Sequence, residues 1–360
     1  MADNILINLL AYRPSGTGLN RYADLVLKGW GMASAKQLRL MTNGRATIDG
    51  TSGHLHRAPR LLQAADLLQD VNPIKALVEQ SNCDLIYAPF TQTLRAIKTI
   101  PQVITCHDLT PLHYPNSRRA ALYVRLVSLV HLKHADHIVA ISTSVADTLM
   151  ETGIESKRIS IVYNGIEIAP KPIKSPSSRN ILIIARHARN KNIELALQGF
   201  ARFLKFQPEW DGKLIVIGQH DRRTKAIHQL KDELNLRTRV TMIERVTDTE
   251  LDQHYRKAFC LISTSLMEGF DYPLLEAQTR GLPTLASEIA VHRELHRDSS
   301  LLFNYSDQGL TLSKELNRLV TEQHTWQQLS ERGIEHAKEF TLERQVMGIQ
   351  SLLAQMNSSN

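Results

Sequence analysis

The chain has 360 residues, of which 42% are hydrophobic and 22% charged, with a formal net charge of +7. Those proportions describe an ordinary soluble globular protein of two domains, and no apolar run approaches the roughly 18–20 residues that span a bilayer. Cys83, Cys106 and Cys260 stand far apart with no CxxC pair, which argues for a reducing cytosol and against a disulfide frame or a zinc site.

The stretch MADNILINLLAYRPSG has no basic leader, so NILINLL (4–10) is expected to be a first strand rather than a signal peptide. A loop containing SGTG (15–18) and a helix near 19–30 follow. CDLIYAPF (83–90), PQVITCHD (101–108) and DHIVAIS (136–142) are further strand candidates, and RISIVYNGI (158–166) closes a first series. APKPIKSPSSRN (169–180), with three prolines and three serines, is the best linker in the chain. The pattern then restarts with NILIIAR (180–186) and an amphipathic helix over 192–206 that places Ile193, Leu197, Phe200 and Leu204 on one stripe. GKLIVIG (212–218), RVTMIE (239–244), AFCLIST (258–264) and PTLAS (283–287) are its later strands. Two βα series joined by a linker imply an α/β protein with two Rossmann-like domains facing across a cleft. The expected division is 1–168, a linker at 169–179, 180–340, and a C-terminal helix in 341–360 that crosses back toward the first domain.

The segment EGFDYPLLEA (268–277) places carboxylates at Glu268 and Glu276 on either side of a strand–loop–helix joint. Open α/β sheets bind ligands at such joints. Asp271 is expected to cap the helix, Pro273 suits its first turn, and Gly281 suits its end. Gly269 permits close approach of backbone to a ligand, and the amides of Gly269 and Phe270 lie near a helix N-terminus suited to phosphate. Two acids flanking a phosphate can each accept paired hydrogen bonds from vicinal hydroxyls, as on the two sides of a nucleotide sugar. A capping acid on a solvated helix is the plainer account of an isolated E-x7-E.

Arg186 ends a strand of the same expected sheet and Lys191 opens the next helix. Two cations there can neutralise a diphosphate leaving group, although solvated surface cations would look the same. Gly16 and Gly18 sit in a βα loop where amides can reach phosphate, or where a tight turn is all that is needed. His107 and Asp108 end PQVITCHD and should point into the cleft.

The blocks SGTGLNRYADLVL, HDLTPLHYP, DHIVAISTSVADTL, IVYNGIE, ARHARNKNIELALQGF and STSLMEGFDYPLLEAQTRGLPTLAS together resemble the large retaining GT-B glycosyltransferase family GT4, over about residues 5 to 345. The resemblance implies a hexosyltransferase that needs no cofactor. It implies that Glu268 contacts the transferred sugar, that Gly269 and Phe270 give amides to that sugar or the diphosphate, and that Glu276 holds the ribose diol. It implies further that Arg186 and Lys191 grip the diphosphate, that Gly16 and Gly18 complete the pocket from the acceptor side, and that His107 lines the sugar and helps position the acceptor. Asp271 departs from the glycine common in this motif; helix capping is the favoured account and selection of a hydroxyl pattern the alternative.

Three features lie outside this constellation. Residues 109–135 contain no Asp or Glu and carry Arg118, Arg119, Arg125 and Lys133 among apolar residues. Such a basic amphipathic helix suits an anionic membrane near a lipid-linked acceptor, and it equally suits a core-packed helix with a solvated face. His131, His134 and His137 are spaced by three; the first two can share a helix face, but His137 is expected in the following strand, so no metal site is expected, and Cys106 is expected to be a buried strand thiol.

The sequence therefore points to a metal-independent, retaining transfer of a hexose from a nucleotide sugar to a glycan or lipid-linked acceptor, in the cytoplasm or peripheral on the inner face of the membrane. Assembly of a bacterial surface glycan is the expected setting. GDP-mannose is the first donor to consider, with rhamnose and glucose donors open. A basic nucleic-acid-binding protein is the competing class, but no reading module or interleaved aromatics support it, so no nucleic acid is expected as a partner. A GT-B-like isomerase or phosphorylase is a third reading.

Overall fold

The computed structural model describes residues 5–12, 18–30, 35–40, 45–48, 51–54, 71–115, 117–322 and 324–358. The chain divides into two compact units, one formed by residues 1–112, 117–165 and 342–360, the other by 113–116 and 166–341.

Among the described residues, the first unit holds an eight-stranded sheet. Its strands are β1 (Ile5–Leu9), β2 (Ala35–Leu40), β3 (Arg45–Ile48), β4 (Thr51–His54), β5 (Leu85–Ala88), β6 (Gln102–Cys106), β7 (His137–Ala140) and β8 (Ile159–Ile161). They lie in the order β4-β3-β2-β1-β5-β6-β7-β8. Every pairing is parallel except β2 with β3 and β3 with β4. All five residues of β1 are buried, because helices cover both faces of a parallel sheet and leave no room for an alternating polar side. The helix Leu342–Ser358 belongs to this unit and packs on the helix Gly18–Trp30. Gln345 Oε1 accepts from the Gly165 amide at 2.8 Å, and Gly348 lies so close to Val162 that a Cβ there would come to 3.0 Å.

The second unit holds a six-stranded parallel sheet: β9 (Ile181–Ile184), β10 (Leu214–Ile217), β11 (Val240–Ile243), β12 (Cys260–Ser263), β13 (Thr284–Ser287) and β14 (Leu301–Phe303). Its order is β11-β10-β9-β12-β13-β14, which is the 3-2-1-4-5-6 arrangement of a doubly wound sheet. The direction of winding reverses between β9 and β12, and ligands bind in the crevice that this reversal opens at the carboxyl ends of the strands. The helix Ile193–Phe206 covers one face, burying Ile193, Leu197, Phe200 and Phe203. Trp210 anchors that layer, edge-on to Phe203 and Phe259 with ring centroids 5.1 Å away in each case, and the Arg179 guanidinium lies 4.1 Å from its ring centroid.

Strands β2, β3, β4 and β14 have no counterpart in the sequence reading. AKQLRL, RATI and TSGH are polar and form the sheet's outer edge, and LLF has three residues. Edge strands shed the apolar signal that marks central ones. The basic segment becomes helices Thr110–His113, Arg118–Tyr123 and Leu129–His134, with a π-helical turn at Val124–Ser128 between the last two. His131 Nδ1 accepts from the Thr93 amide at 3.1 Å, while His137 Nε2 lies 2.9 Å from Ser160 Oγ, so these two side chains serve separate partners. Cys106 is fully buried, and burial pushes its thiol up.

Burial also holds a set of histidines neutral. His107, His137, His187, His296 and His336 all lie below the ordinary value of 6.5, with desolvation the largest cause in each case. The unfolded chain binds protons at these rings at a higher pH than the folded chain does. Their contribution to stability is therefore full above 6.5 and declines as pH falls through 6.5 toward the folded values. Scanning calorimetry between pH 7.5 and 4.5 is expected to show a falling melting temperature, with net proton uptake on unfolding.

Candidate active site

The carboxyl ends of β9 and β12 deliver the two loops that make the site. Arg186 lies two residues beyond β9, in a loop that continues through a short helical turn, Arg189–Lys191. Asn192 then adopts the left-handed region with φ 47°, and the helix Ile193–Phe206 begins. From β12 the chain runs through Thr264–Phe270 to Asp271, also left-handed with φ 67°, and the helix Tyr272–Thr279 begins. Pro273 occupies the first turn of that helix and Gly281, with φ 72°, follows its end, as the residue types require. The loops are stitched together by one backbone and one side-chain bond: the Leu266 amide donates to Asn190 O at 2.7 Å and Thr264 Oγ1 donates to Lys191 O at 2.9 Å.

Lys191 is the centre of the arrangement. Its Nζ lies 2.7 Å from Glu268 Oε1 and 3.6 Å from Asp271 Oδ1. Burial works against its charge, yet the attraction of Glu268 and Asp271 prevails and holds the ammonium well above the usual lysine range. The two acids diverge. Burial and the nearby Asp271 charge raise Glu268 above the ordinary carboxylate value, against the pull of Lys191. Asp271 is as deeply placed, but Lys191, His292 and Ser263 outweigh its desolvation and keep it ionised far below the ordinary range. Asn190 Nδ2 donates to Glu268 Oε1 and to Met267 O, each at 3.3 Å. Arg186 is exposed and close enough to Lys191 for its charge to oppose the ammonium. It makes no ion pair or side-chain hydrogen bond among the described residues.

Thus Arg186, Lys191, Glu268, Gly269 and Phe270 fall in one place at the switch point. Phe270 is buried, its ring centroid 5.9 Å from that of Phe340. Glu276 lies further along the helix and is buried, its Oε2 accepting from Tyr255 OH at 2.6 Å. The expectation that Asp271 caps its helix is wrong: it occupies the capping position, but its side chain makes no capping bond. The left-handed backbone turns the carboxylate inward instead. There Asp271 Oδ2 accepts from Ser263 Oγ and from His292 Nε2, the latter at 3.0 Å. Ser263, His292, Asn190 and Tyr255 were not singled out from sequence. His292 sits on the short helix after β13, where one buried ring among polar neighbours looks like any other.

In the first unit, His107 directly follows β6 and is buried. Its Nε2 is 2.9 Å from Pro89 O. A carbonyl can accept but not donate, so Nε2 carries the proton and Nδ1 the lone pair. Burial pushes the ring down to about 4, against the pull of that carbonyl, so His107 is neutral at physiological pH. Tyr22 meets it edge-on at 4.5 Å, and the Tyr22, Tyr87 and Thr105 hydroxyls form a buried triangle with distances of 3.1, 2.9 and 3.3 Å. Gly18 opens the helix Gly18–Trp30; Gly16 lies outside the described residues.

Truncating Lys191 leaves a buried acid, Asp271, beside the largely buried Glu268. Lys191→Ala is expected to lose about 3–5 kcal/mol of stability in urea unfolding, and adding Glu268→Gln is expected to restore part of that loss.

Residues 166–339 match the family model described as Glycosyl transferases group 1, and residues 27–169 match Glycosyltransferase Family 4. The O-antigen chain mannosyltransferase RfbU of Salmonella typhimurium is 29% identical over 218 residues, 58% of this chain and 60% of that protein. The chain therefore spans less than two thirds of that relative's length. Among solved structures, sucrose-phosphate synthase from Thermosynechococcus elongatus superposes with a TM-score of 0.77 at 20% identity, covering 99% of each chain. Anabaena HepE in complex with UDP-glucose gives 0.74 at 19% identity, covering 98% of this chain and 99% of that one. The two family models together run from residue 27 to residue 339, and with the doubly wound second sheet they lead to one conclusion: the chain belongs to the GT4-type glycosyltransferases of the GT-B fold.

Proposed function

We propose that the protein transfers a hexose from a nucleoside-diphosphate sugar to a glycan or lipid-linked acceptor, with retention at the anomeric carbon and without a metal ion, in the assembly of bacterial surface polysaccharide. The observation that carries this reading is the Lys191–Glu268 pair at 2.7 Å beside the unpaired Arg186, at the switch point of the second sheet. The mannosyltransferase RfbU and the UDP-glucose complex of HepE support it by likeness, and mannose from GDP-mannose is the first donor to test.

In this reading Arg186 and Lys191 face the diphosphate and take up the charge that grows on it as the glycosidic bond breaks, the part a divalent cation plays in other transferases. Glu268, adjoining Lys191, accepts hydroxyls of the departing sugar. Glu276, oriented by Tyr255, takes the ribose diol. The acceptor attacks from the face that the diphosphate leaves, and its proton passes to the departing diphosphate oxygen. His107, neutral and with its lone pair on Nδ1, is suited to accept a hydrogen bond from a sugar hydroxyl without adding positive charge. The protein contributes orientation and charge stabilisation rather than a covalent intermediate.

The same reading places the enzyme in the cytoplasm, peripheral on an anionic membrane. Leu122, Tyr123 and Leu126 are exposed at 55%, 43% and 61% on the helical run that also carries the exposed Arg118, Arg119, Arg125 and Lys133. Apolar residues among arginines and lysines, with no acid between 109 and 135, suit the interface of an anionic bilayer. Among the described residues, no helix is long and apolar enough to cross one.

Three kinetic outcomes are expected. Glu276→Ala weakens nucleotide binding in calorimetry, Glu268→Ala chiefly lowers turnover, and Arg186→Ala lowers turnover by about 10²–10³-fold, the scale of a lost oxyanion donor. Wild-type behaviour of all three, across GDP-, UDP- and dTDP-sugars, would defeat the assignment. Free sugar phosphate or an epimer formed without acceptor would instead mark a phosphorylase or isomerase. On the membrane side, co-sedimentation with vesicles containing phosphatidylglycerol is expected, and it should be lost with pure phosphatidylcholine vesicles or in the Leu122→Glu, Leu126→Glu double variant.

A further inference from the structure

Asp271 is the most fully engaged side chain of the second unit's site, and the proposed donor contacts leave it without a task. It is 6% exposed and its backbone is left-handed, a conformation that glycine adopts without strain and an L side chain does not. Its carboxylate is used on both sides. Oδ2 accepts from Ser263 at the end of β12 and from His292 on the helix Ala290–His296, and Oδ1 faces the Lys191 ammonium at 3.6 Å. His292 is wholly buried and has an acceptor at each ring nitrogen: Ser287 O lies 2.7 Å from Nδ1, and Asp271 Oδ2 lies 3.0 Å from Nε2. Ser287 Oγ spends its own proton on Ser265 O, so it too can only accept from Nδ1. The ring thereby links Asp271 to the end of β13. Glu268, Lys191, Asp271 and His292 then form a continuous chain of contacts, its far end tied into β12 and β13.

We propose that Asp271 and His292 are positioning residues, and that Asp271, held from behind by His292 and Ser263, fixes the Lys191 ammonium beside Glu268. The inference rests on the donor-site reading given above. A lysine stem has four rotatable carbons and a point charge at its end, so one carboxylate leaves it free to swing. Two carboxylates on different oxygens fix its direction and divide its charge, which keeps Glu268 from being wholly engaged by Lys191 and leaves it acceptor capacity for a sugar hydroxyl. A glycine at 271 would relieve the backbone but would surrender the second anchor.

That contrast supplies the test. Asp271→Gly suits the left-handed backbone and removes only the carboxylate; Asp271→Asn keeps the shape and removes the charge. Both are compared with wild type in GDP and UDP calorimetry and in turnover of whichever of GDP-mannose and UDP-glucose the wild type cleaves. The expected result is that both variants fold, bind nucleotide within about threefold of wild type, and turn over about 10²-fold more slowly, the scale at which a small misplacement of a reacting group acts. Wild-type turnover in Asp271→Gly, or a loss shared equally by nucleotide affinity and melting temperature, would overturn the inference and leave Asp271 a structural residue. If Lys191→Ala and Glu268→Gln also match the wild type in binding and turnover, the donor-site reading itself fails. If those two are impaired and Asp271→Gly is not, the positioning role alone fails.

Discussion

A lysine ammonium taken largely out of water must find anionic partners, because the desolvation of a charge costs several kcal/mol unless it is repaid by near and well-directed countercharge. Lys191 meets that constraint by drawing Glu268 and Asp271 from the loop after β12 onto the loop after β9. The two loops thereby lose their independence. They share hydrogen bonds from the Leu266 amide to Asn190 O and from the Thr264 hydroxyl to Lys191 O, and the strand order that places β9 beside β12 is what brings them within reach. The site is thus a property of the sheet's winding as much as of its side chains.

Each loop ends in a non-glycine residue with positive φ, Asn192 in one and Asp271 in the other, each directly before a helix. Neither side chain caps the helix it precedes. Non-glycine residues in this region carry a cost of order 1 kcal/mol or more and persist where surrounding contacts over-determine them. For Asp271 those contacts are visible: Ser263, His292 and Lys191 enclose the carboxylate.

The central parallel strands were legible because they are continuous apolar runs, ILINL, ILII, LIVI and CLIS among them. The helix after the linker was legible from its 3.6-residue stripe of Ile193, Leu197, Phe200 and Leu204. The edge hairpin β3–β4 and the short β14 were not, since their residues are polar or few. Of the site, the placement of Lys191 and Glu268 followed from the strand–loop–helix rule, which fixes where loops go. The role of Asp271 did not follow, because a capping aspartate and an inward-turned one share the same sequence context and differ in one backbone dihedral. His292 and Ser263 were invisible for a related reason: they reach the site through tertiary packing across β12 and β13, and nothing local marks them.

The helix Leu342–Ser358 completes the first unit, whereas residues 166–341 of the second are continuous in the chain but for four. A ribosome makes the chain in one direction, so every residue of the second unit is available before the helix Leu342–Ser358 can complete the first. Until then the helix Gly18–Trp30 carries an uncovered apolar flank and the Gly165 amide lacks its Gln345 acceptor. During synthesis the half that begins first is therefore the half that finishes last.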